Sequence, residues 1–245
     1  MRMTVYLRYE LLRLVRNRRF FVFALGLPVA LYFLIAGPNR HVRDLGDSGV
    51  PAPLYFMVSL AAFGTMAGML AAGGRIANER AAGWTRQLRI SPLSPAAYFR
   101  TKLATGYLMA LLTMGVLYLC GLSLGVSMPA RDWLEVTGLM LVALIPFAAL
   151  GIVAGHLLNP DAVGPVIGGG SALLAFVGGT WFPVSDHGFL HGLAQAMPSY
   201  WLVRAGKVAT GGAAWGATGW LVVAAWSLAL GALALQVYRR DGGRR

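Results

Sequence analysis

Charged side chains are scarce in this chain. Only 12% of its 245 residues are Asp, Glu, Lys or Arg, whereas 57% are hydrophobic. Soluble domains are about one quarter charged, because they must cover their surface with polar groups. The scarcity of charge excludes an ordinary soluble domain and predicts a protein that has lipid as its solvent.

Several chemical groups are also missing. The single cysteine, Cys120, excludes an intrachain disulfide. No phosphate loop of the form G-x-x-x-x-G-K-[ST] occurs, since Gly206 and Lys207 are followed by Val208 and lack the upstream glycine. We therefore expect no bound ATP or other cofactor and no catalytic residue in this chain. The net charge of +12 is spread between long uncharged stretches, so we also expect no nucleic-acid partner.

Histidine is rare, with four residues in the chain. His187 and His191 have the spacing of a helical metal pair beside Asp186, but no third ligand is evident, so we expect a structural role and no metal. His156 is interpreted as capping a turn, with a proton relay as the alternative. The absence of carboxylates from the apolar segments disfavours a proton-coupled carrier.

Six apolar segments are long enough to cross a bilayer, which takes about 20 helical residues. In lipid every backbone amide must bond internally, and these runs lack the alternation of a barrel strand, so they are predicted to be helices. Glycines within the second and fifth spans, including Gly168, Gly169 and Gly170, predict close helix packing. The sequence thus predicts one all-α polytopic membrane domain over residues 1–245, with spans 20–36, 54–74, 103–126, 136–158, 163–182 and 215–237.

The distribution of basic residues predicts the orientation. Residues 1–19 carry six Lys or Arg side chains, residues 75–102 carry six more, and residues 238–245 carry four. Such an excess stays on the cytoplasmic side. Six spans with both termini in the cytoplasm satisfy this rule.

Two predicted cytoplasmic segments could bind a partner. Residues 1–19 are predicted to form an amphipathic helix along the membrane surface, with a solvated basic tail as the alternative. In the 75–102 loop, Asn78 is expected to cap a short helix, with Glu79 in its first turn and Pro92 and Pro95 ending it. A helix held between two spans can dock on a partner and transmit its movement. A loop that only sets topology is the alternative, and the residues alone leave both open.

Two groups of residues carry a resemblance to a known family. The first follows the second span: Glu79-Arg80-x-x-Gly83-Trp84-x-x-x-Leu88-Arg89-x-Ser91-Pro92-Leu93-Ser94, then Tyr98 and Lys102. The second precedes the last span: Phe182-Pro183, Leu193, Pro198, Tyr200 and Trp201. Together with the basic segment before the first span and the count of six spans, they resemble the permease subunits of ABC-2-type bacterial exporters, daunorubicin-exporter-like, over essentially the whole chain.

The resemblance implies a membrane subunit that is driven by a separate ATPase. A cytoplasmic coupling helix between spans two and three would contact two copies of a separate ABC ATPase, which would bind ATP and Mg. A second membrane subunit, as a homodimer, and a bacterial inner (plasma) membrane are also implied, as are short external helices between spans five and six. The residues implied to contact the ATPase are Glu79, Arg80, Gly83, Trp84 and Leu88.

The resemblance further implies that substrate passes between spans two and five of each copy. The passenger would be an amphipathic drug-, antibiotic- or lipid-like molecule, because Met and aromatic side chains repack around varied shapes. For each candidate, ordinary packing is the alternative role. The candidates are Phe56, Met57, Phe63, Met66, Met69, Phe176 and Trp181.

Two other functions remain open at this stage. One is a membrane scaffold that recruits some other partner through residues 75–102. The other is an intramembrane enzyme, for which Ser171 would be the nucleophile. Such a serine needs a histidine on a later span as its base, and residues 215–237 contain none.

Overall fold

The computed structural model describes residues 25–46, 49–83, 95–185, 187–210 and 215–243. Within these ranges all regular structure is helical, which confirms the predicted all-α fold. The predicted surface helix, residues 1–19, and the loop residues 84–94 lie outside the described residues. The α-helices are α1 (Leu27–Ala36), α2 (Ala52–Ala81), α3 (Pro95–Ser123), α4 (Ala130–Ala143), α5 (Ile145–Leu157), α6 (Pro160–Val177), α7 (Phe189–Gln195), α8 (Pro198–Arg204) and α9 (Ala217–Gly243).

Five described stretches are long and apolar enough to cross a membrane: α2, α3, α4 with α5, α6, and α9. The apolar helix α1 has ten residues, and the first part of its predicted span lies outside the described residues. The structure is therefore that of a polytopic helical membrane protein. The count of six spans stays a prediction.

Two helix boundaries near the predicted coupling loop differ from expectation. Helix α2 continues to Ala81, so Asn78 lies inside it and does not cap a new helix. Ile76, Ala77 and Glu79 are buried, and this packing extends the helix beyond the apolar window that predicted its end. Pro95 begins α3 rather than ending the preceding helix, because proline is tolerated in the first turn, where no N–H is needed.

The fourth predicted span is two helices rather than one. Helix α4 ends at Ala143 and α5 begins at Ile145, with Leu144 between them. Pro146 lies in the first turn of α5 and has no N–H to donate to the preceding turn, which explains the break. The proline is the sequence signal for this break.

Helix α2 is the centre of the bundle and packs most extensively against α5 and α3, and then against α6 and α1. Its contact with α5 is close, because a Cβ atom at Gly73 would overlap the backbone of Gly151, and one at Gly155 would overlap the backbone of Gly73. Small residues let two backbones approach in this way. The close packing predicted for the second span is thus found at Gly64, Gly73 and Gly74, whereas a Cβ atom at Gly68 would meet no atom within 4 Å.

The fifth span does not show the predicted packing. A Cβ atom at Gly168, Gly169 or Gly170 would meet no atom within 4 Å, so these glycines make no close contact within one copy. Helices α6 and α9 are the least buried of the candidate spans. They leave much of their apolar surface to lipid or to another subunit.

Two short helices, α7 and α8, and a 3₁₀ helix, Ala205–Thr210, connect α6 with α9. This confirms the predicted pair of short helices between the last two spans. Indole hydrogen bonds hold them together: Trp201 donates to the carbonyl of Gln195 at 2.9 Å, and Trp215 donates to the carbonyl of Trp201 at 2.9 Å.

Candidate coupling site and transport path

A buried ion pair joins the end of α2 to the start of α3. The Nζ atom of Lys102 lies 2.5 Å from Oε1 of Glu79, and the two side chains are 2% and 4% exposed. The hydroxyl of Tyr98, one turn before Lys102, donates a hydrogen bond to the other carboxylate oxygen of Glu79. Removing one partner of such a pair leaves a buried charge and costs about 3–5 kcal/mol. The pair therefore holds together the two helix ends that flank residues 84–94.

Arg80 joins the same end of α2 to α5. Its guanidinium donates hydrogen bonds to the carbonyl oxygens of Gly155, at 3.3 Å, and of His156. These carbonyls belong to the last turn of α5, where backbone oxygens lack helical partners and the helix dipole favours a cation. Glu79 and Arg80 are neighbours in sequence, yet they hold two different helices against α2.

His156 connects this cluster to the last helix. Its imidazole is buried, and Nδ1 lies 2.9 Å from the carbonyl oxygen of Ile152. The imidazole packs against the rings of Phe99, at 6.1 Å between centroids, and Tyr238, at 6.0 Å. Phe99 and Tyr238 also contact each other, at 4.9 Å. His156 thus has a packing role between α3, α5 and α9, and its role as a turn cap stays a prediction.

We call this group the inner cluster; it comprises Glu79, Arg80, Tyr98, Phe99, Lys102, His156 and Tyr238. Its members come from α2, α3, α5 and α9, and it lies where α2 and α3 enter the segment 84–94. A displacement of that segment would act directly on the ends of α2 and α3, and through Arg80 and Phe99 on α5 and α9. The cluster therefore links the ends of α2 and α3 to α5 and α9.

The predicted coupling residues separate into two groups. The side chains of Glu79 and Arg80 bond within the bundle, whereas Gly83 is exposed, with a φ of +71° that favours glycine. Trp84 and Leu88 lie outside the described residues. Tyr98 and Lys102 complete the ion-pair site, and they were quoted in the family motif but not predicted as site residues. The sequence signal for this site is an ionisable side chain at the end of a membrane helix, because such a side chain needs a partner.

The candidate path residues fall into a buried group and a group with exposed surface. Phe56, Met57, Met66 and Met69 are buried in the core of one copy, on the central helix α2. Phe63 is partly buried and lies 5.7 Å from the ring of Trp181. Phe176 on α6 is 66% exposed. In this conformation only Phe63, Trp181 and Phe176 have surface to offer a passenger or a second subunit, and the predicted lining stays a prediction.

The contacts of His191, one of the two neighbouring histidines, lie within the short helices before α9. His191 lies 2.7 Å from the amide nitrogen of Gln195 and packs against the ring of Tyr200. Among the described residues, no group of three or more His, Cys, Asp or Glu side chains could hold a metal ion. A packing role for His191 follows.

The apolar helices define a polytopic membrane protein, in which a buried charged cluster joins four helices at one end and two short helices precede α9. The sequence profile described as "ABC-2 family transporter protein" matches residues 49–236. The chain belongs to this family and is a membrane subunit of an ABC transporter. Family membership implies association with an ABC ATPase.

One curated relative covers most of the chain. It is a protein of Bacillus subtilis (strain 168) with the name "Putative transport permease YvfS", and it is 25% identical over 195 residues. The aligned region spans 78% of this chain and 78% of the relative. The two chains therefore share their helical domain along most of its length.

Proposed function

We propose that this chain is the membrane subunit of an ATP-driven exporter in a bacterial plasma membrane. It would work as a homodimer with two copies of a separate ABC ATPase and would carry an amphipathic drug-, antibiotic- or lipid-like molecule. The inner cluster is the observation that carries the proposal. It is a buried charged assembly placed at the ends of the loop that would receive the motor's movement.

The coupling step starts at the segment 84–94. Trp84 and Leu88 are proposed to contact the ATPase, while Glu79 and Arg80 hold the loop's first end to α3 and α5 through the bonds described above. The direct contacts of Glu79 and Arg80 with the ATPase remain a prediction. ATP can drive the cycle because the closed ATPase pair binds one membrane-domain state more favourably than the other.

The path for the passenger is proposed to run between two copies, along α6 and the exposed edge of α2. Phe176 is largely exposed, and the contact between Phe63 and Trp181 lies partly at the surface. The four buried candidates on α2 would reach the path only if the helices separate during the cycle. Both chain ends and the loop 84–94 are assigned to the cytoplasm, because the basic residues gather there.

The decisive experiment is purification of the tagged protein from native membranes in mild detergent. We expect a soluble ATPase to co-elute in a ratio of one per membrane subunit. The variant Trp84→Ala with Leu88→Ala should lose this partner, because the proposed contact surface is removed. The matched control is Trp220→Ala, which removes an exposed indole from α9. A preparation without any nucleotide-binding partner would contradict the exporter proposal.

A further inference from the structure

The two helices that form the fourth candidate span, α4 and α5, pack on different parts of the molecule. Helix α5 packs most extensively against α2 and α9, whereas α4 packs most extensively against the 3₁₀ helix and α8. The contact between α4 and α5 themselves is small. The two halves of one span therefore belong to two different groups of helices, which meet at Leu144.

The half that ends in the inner cluster, α5, is held firmly on the central helix. A Cβ atom at Gly151 or Gly155 would overlap the backbone of α2. Helices whose backbones approach this closely lose many contacts when they separate. The last turn of α5 also carries the buried His156 and the carbonyls that Arg80 bonds. Helix α5 is therefore part of the rigid centre of the bundle.

The other half, α4, is joined to α3 by tyrosine hydroxyls. The Tyr118 hydroxyl lies 3.1 Å from Oγ1 of Thr137, and the Tyr107 hydroxyl donates to the carbonyl of Leu141 at 3.3 Å. A Cβ atom at Gly138 of α4 would meet no atom within 4 Å, so this glycine makes no close backbone contact. Single hydrogen bonds between membrane helices are weak. The attachment of α4 to α3 thus includes bonds that can open and re-form.

The junction between the two halves has an interrupted ladder of backbone hydrogen bonds. Pro146 has no N–H group and cannot bond to the carbonyl of Val142. Leu144 donates to the carbonyl of Met140 at 3.1 Å, and Ala148 donates to the carbonyl of Leu144 at 3.0 Å, so regular bonding continues on both sides. Proline is a common cause of helix kinks, and a few residues at the end of an element can absorb a hinge motion.

We propose that residues 144–146 form a hinge about which α4 changes its angle to α5. Helix α5 stays on α2, while α4 tilts away from α3 when the hydroxyl bonds of Tyr107 and Tyr118 open. Because α4 packs mainly on the 3₁₀ helix and α8, its tilt displaces these two elements. The two hydroxyls act as a latch that holds the conformation described here.

The hinge is a property of the fold and needs no ATPase. Its use in transport rests on the proposed function. A movement received at the inner cluster would reach α5 through the bonds between Arg80 and its last turn. The hinge would then let α4, α8 and the 3₁₀ helix change position while α5 keeps its contact with α2.

The test measures the angle with two spin labels on the same span. Leu134 on α4 and Leu157 at the end of α5 are 75% and 63% exposed, so both positions accept a label. A straight helix would place their Cα atoms about 35 Å apart, at about 1.5 Å per residue. The labels are attached to Leu134→Cys and Leu157→Cys in a Cys120→Ser background. The full-length chain, diluted with unlabelled chain, is reconstituted in lipid nanodiscs without ATPase and measured by double electron–electron resonance.

We expect a broad or two-peaked distance distribution when residues 144–146 are unchanged. Pro146→Ala should narrow it and move it toward the distance of a straight helix, because alanine restores the missing backbone donor. Tyr118→Phe should shift the population toward the minor distance by about threefold, which is the typical worth of one hydrogen bond between membrane helices.

Two controls accompany this measurement. Labels at Leu221 and Leu235, both exposed on the uninterrupted helix α9, give the width that comes from the labels alone. Pro165→Ala removes an exposed proline inside α6 and should leave the distribution between positions 134 and 157 unchanged.

A distribution between positions 134 and 157 that is no wider than the α9 control overturns the hinge, and this comparison needs neither Pro146→Ala nor Tyr118→Phe. Equal distributions with and without Pro146→Ala also overturn it. In a preparation that contains the ATPase, a distribution that ATP does not change would remove the hinge from the transport cycle. Failure to find an ATPase would contradict the proposed function and leave the measurement in nanodiscs unaffected.

Discussion

At the scale of single residues, the buried charges of the inner cluster are paired. Glu79 and Lys102 are almost completely buried and bond to each other, with the Tyr98 hydroxyl as a third partner. The neighbouring Arg80 caps backbone carbonyls of α5. A buried pair of this kind adds little stability compared with apolar residues of the same size, but it penalises any arrangement that separates the partners. The ion pair therefore favours arrangements in which the end of α2 stays in contact with the start of α3.

The pair should behave as a unit when it is mutated. We expect Glu79→Gln or Lys102→Met alone to lower the free energy of unfolding by about 3 kcal/mol or more, because each leaves one buried charge unpaired. The double variant should lose clearly less than the sum of the two single losses. Unfolding in a graded series of denaturing detergent, followed by circular dichroism, measures both quantities.

Glu135→Gln is the control for this experiment, because Glu135 is an exposed carboxylate on α4. Its effect should stay within about 0.5 kcal/mol. If Glu79→Gln were no more harmful than Glu135→Gln, the ion pair would have no role in holding α2 to α3.

At the scale of the helices, α2 is the most enclosed of the candidate spans within one copy. It contacts α1, α3, α5, α6, α8 and the 3₁₀ helix, and its backbone meets that of α5 where Gly73 faces Gly151 and Gly155. The methionines and Phe56, predicted to line a path, fill the remaining space around it. The apolar pattern of the sequence could not distinguish these roles, because a helix that is apolar all round has no preferred face.

Two glycines of α2 offer a matched pair of substitutions. Gly73→Ala should lower the free energy of unfolding by about 1–3 kcal/mol, because its Cβ would overlap the Gly151 backbone and force α2 and α5 apart. Gly68→Ala should be neutral or stabilising by up to about 1 kcal/mol, since its Cβ would meet nothing within 4 Å and alanine favours the helix. The same detergent unfolding series applies. Equal effects of the two substitutions would contradict the close α2–α5 contact.

At the scale of the whole molecule, one copy leaves a large apolar surface uncovered. Helices α6 and α9 are mostly exposed, and the open glycines 168–170 lie on α6. In lipid, small residues that lack a neighbour within the chain can accept the helix of another subunit. We therefore assign the proposed homodimer contact to α6 rather than α9.

Cysteine cross-linking in membranes tests this assignment. In a Cys120→Ser background, Phe176→Cys on α6 should form a covalent dimer on mild oxidation. Leu228→Cys, on α9 and 75% exposed, should stay monomeric because it would face lipid. Cross-linking is read from the dimer band on a non-reducing gel. Dimers at position 228 but not at 176 would move the interface to α9.

The sequence by itself determined that the chain lies in lipid, that its spans are helices, that two short helices precede the last span, and which family it resembles. These properties depend on the composition of about 20 consecutive residues, or on motifs within one segment, and neighbours elsewhere in the fold do not change them.

Only the tertiary structure decided where the helices end, which side chains are paired and which surfaces are buried. The extension of α2 to Ala81 depends on contacts with other helices, and the partner of Glu79 is Lys102, which is 23 residues away. The burial of Met57, Met66 and Met69 and the open space at Gly168 each depend on which helices meet. Hydrophobicity is a property of a segment, whereas burial and pairing are properties of the distances between segments, and those distances arise only when the bundle is assembled.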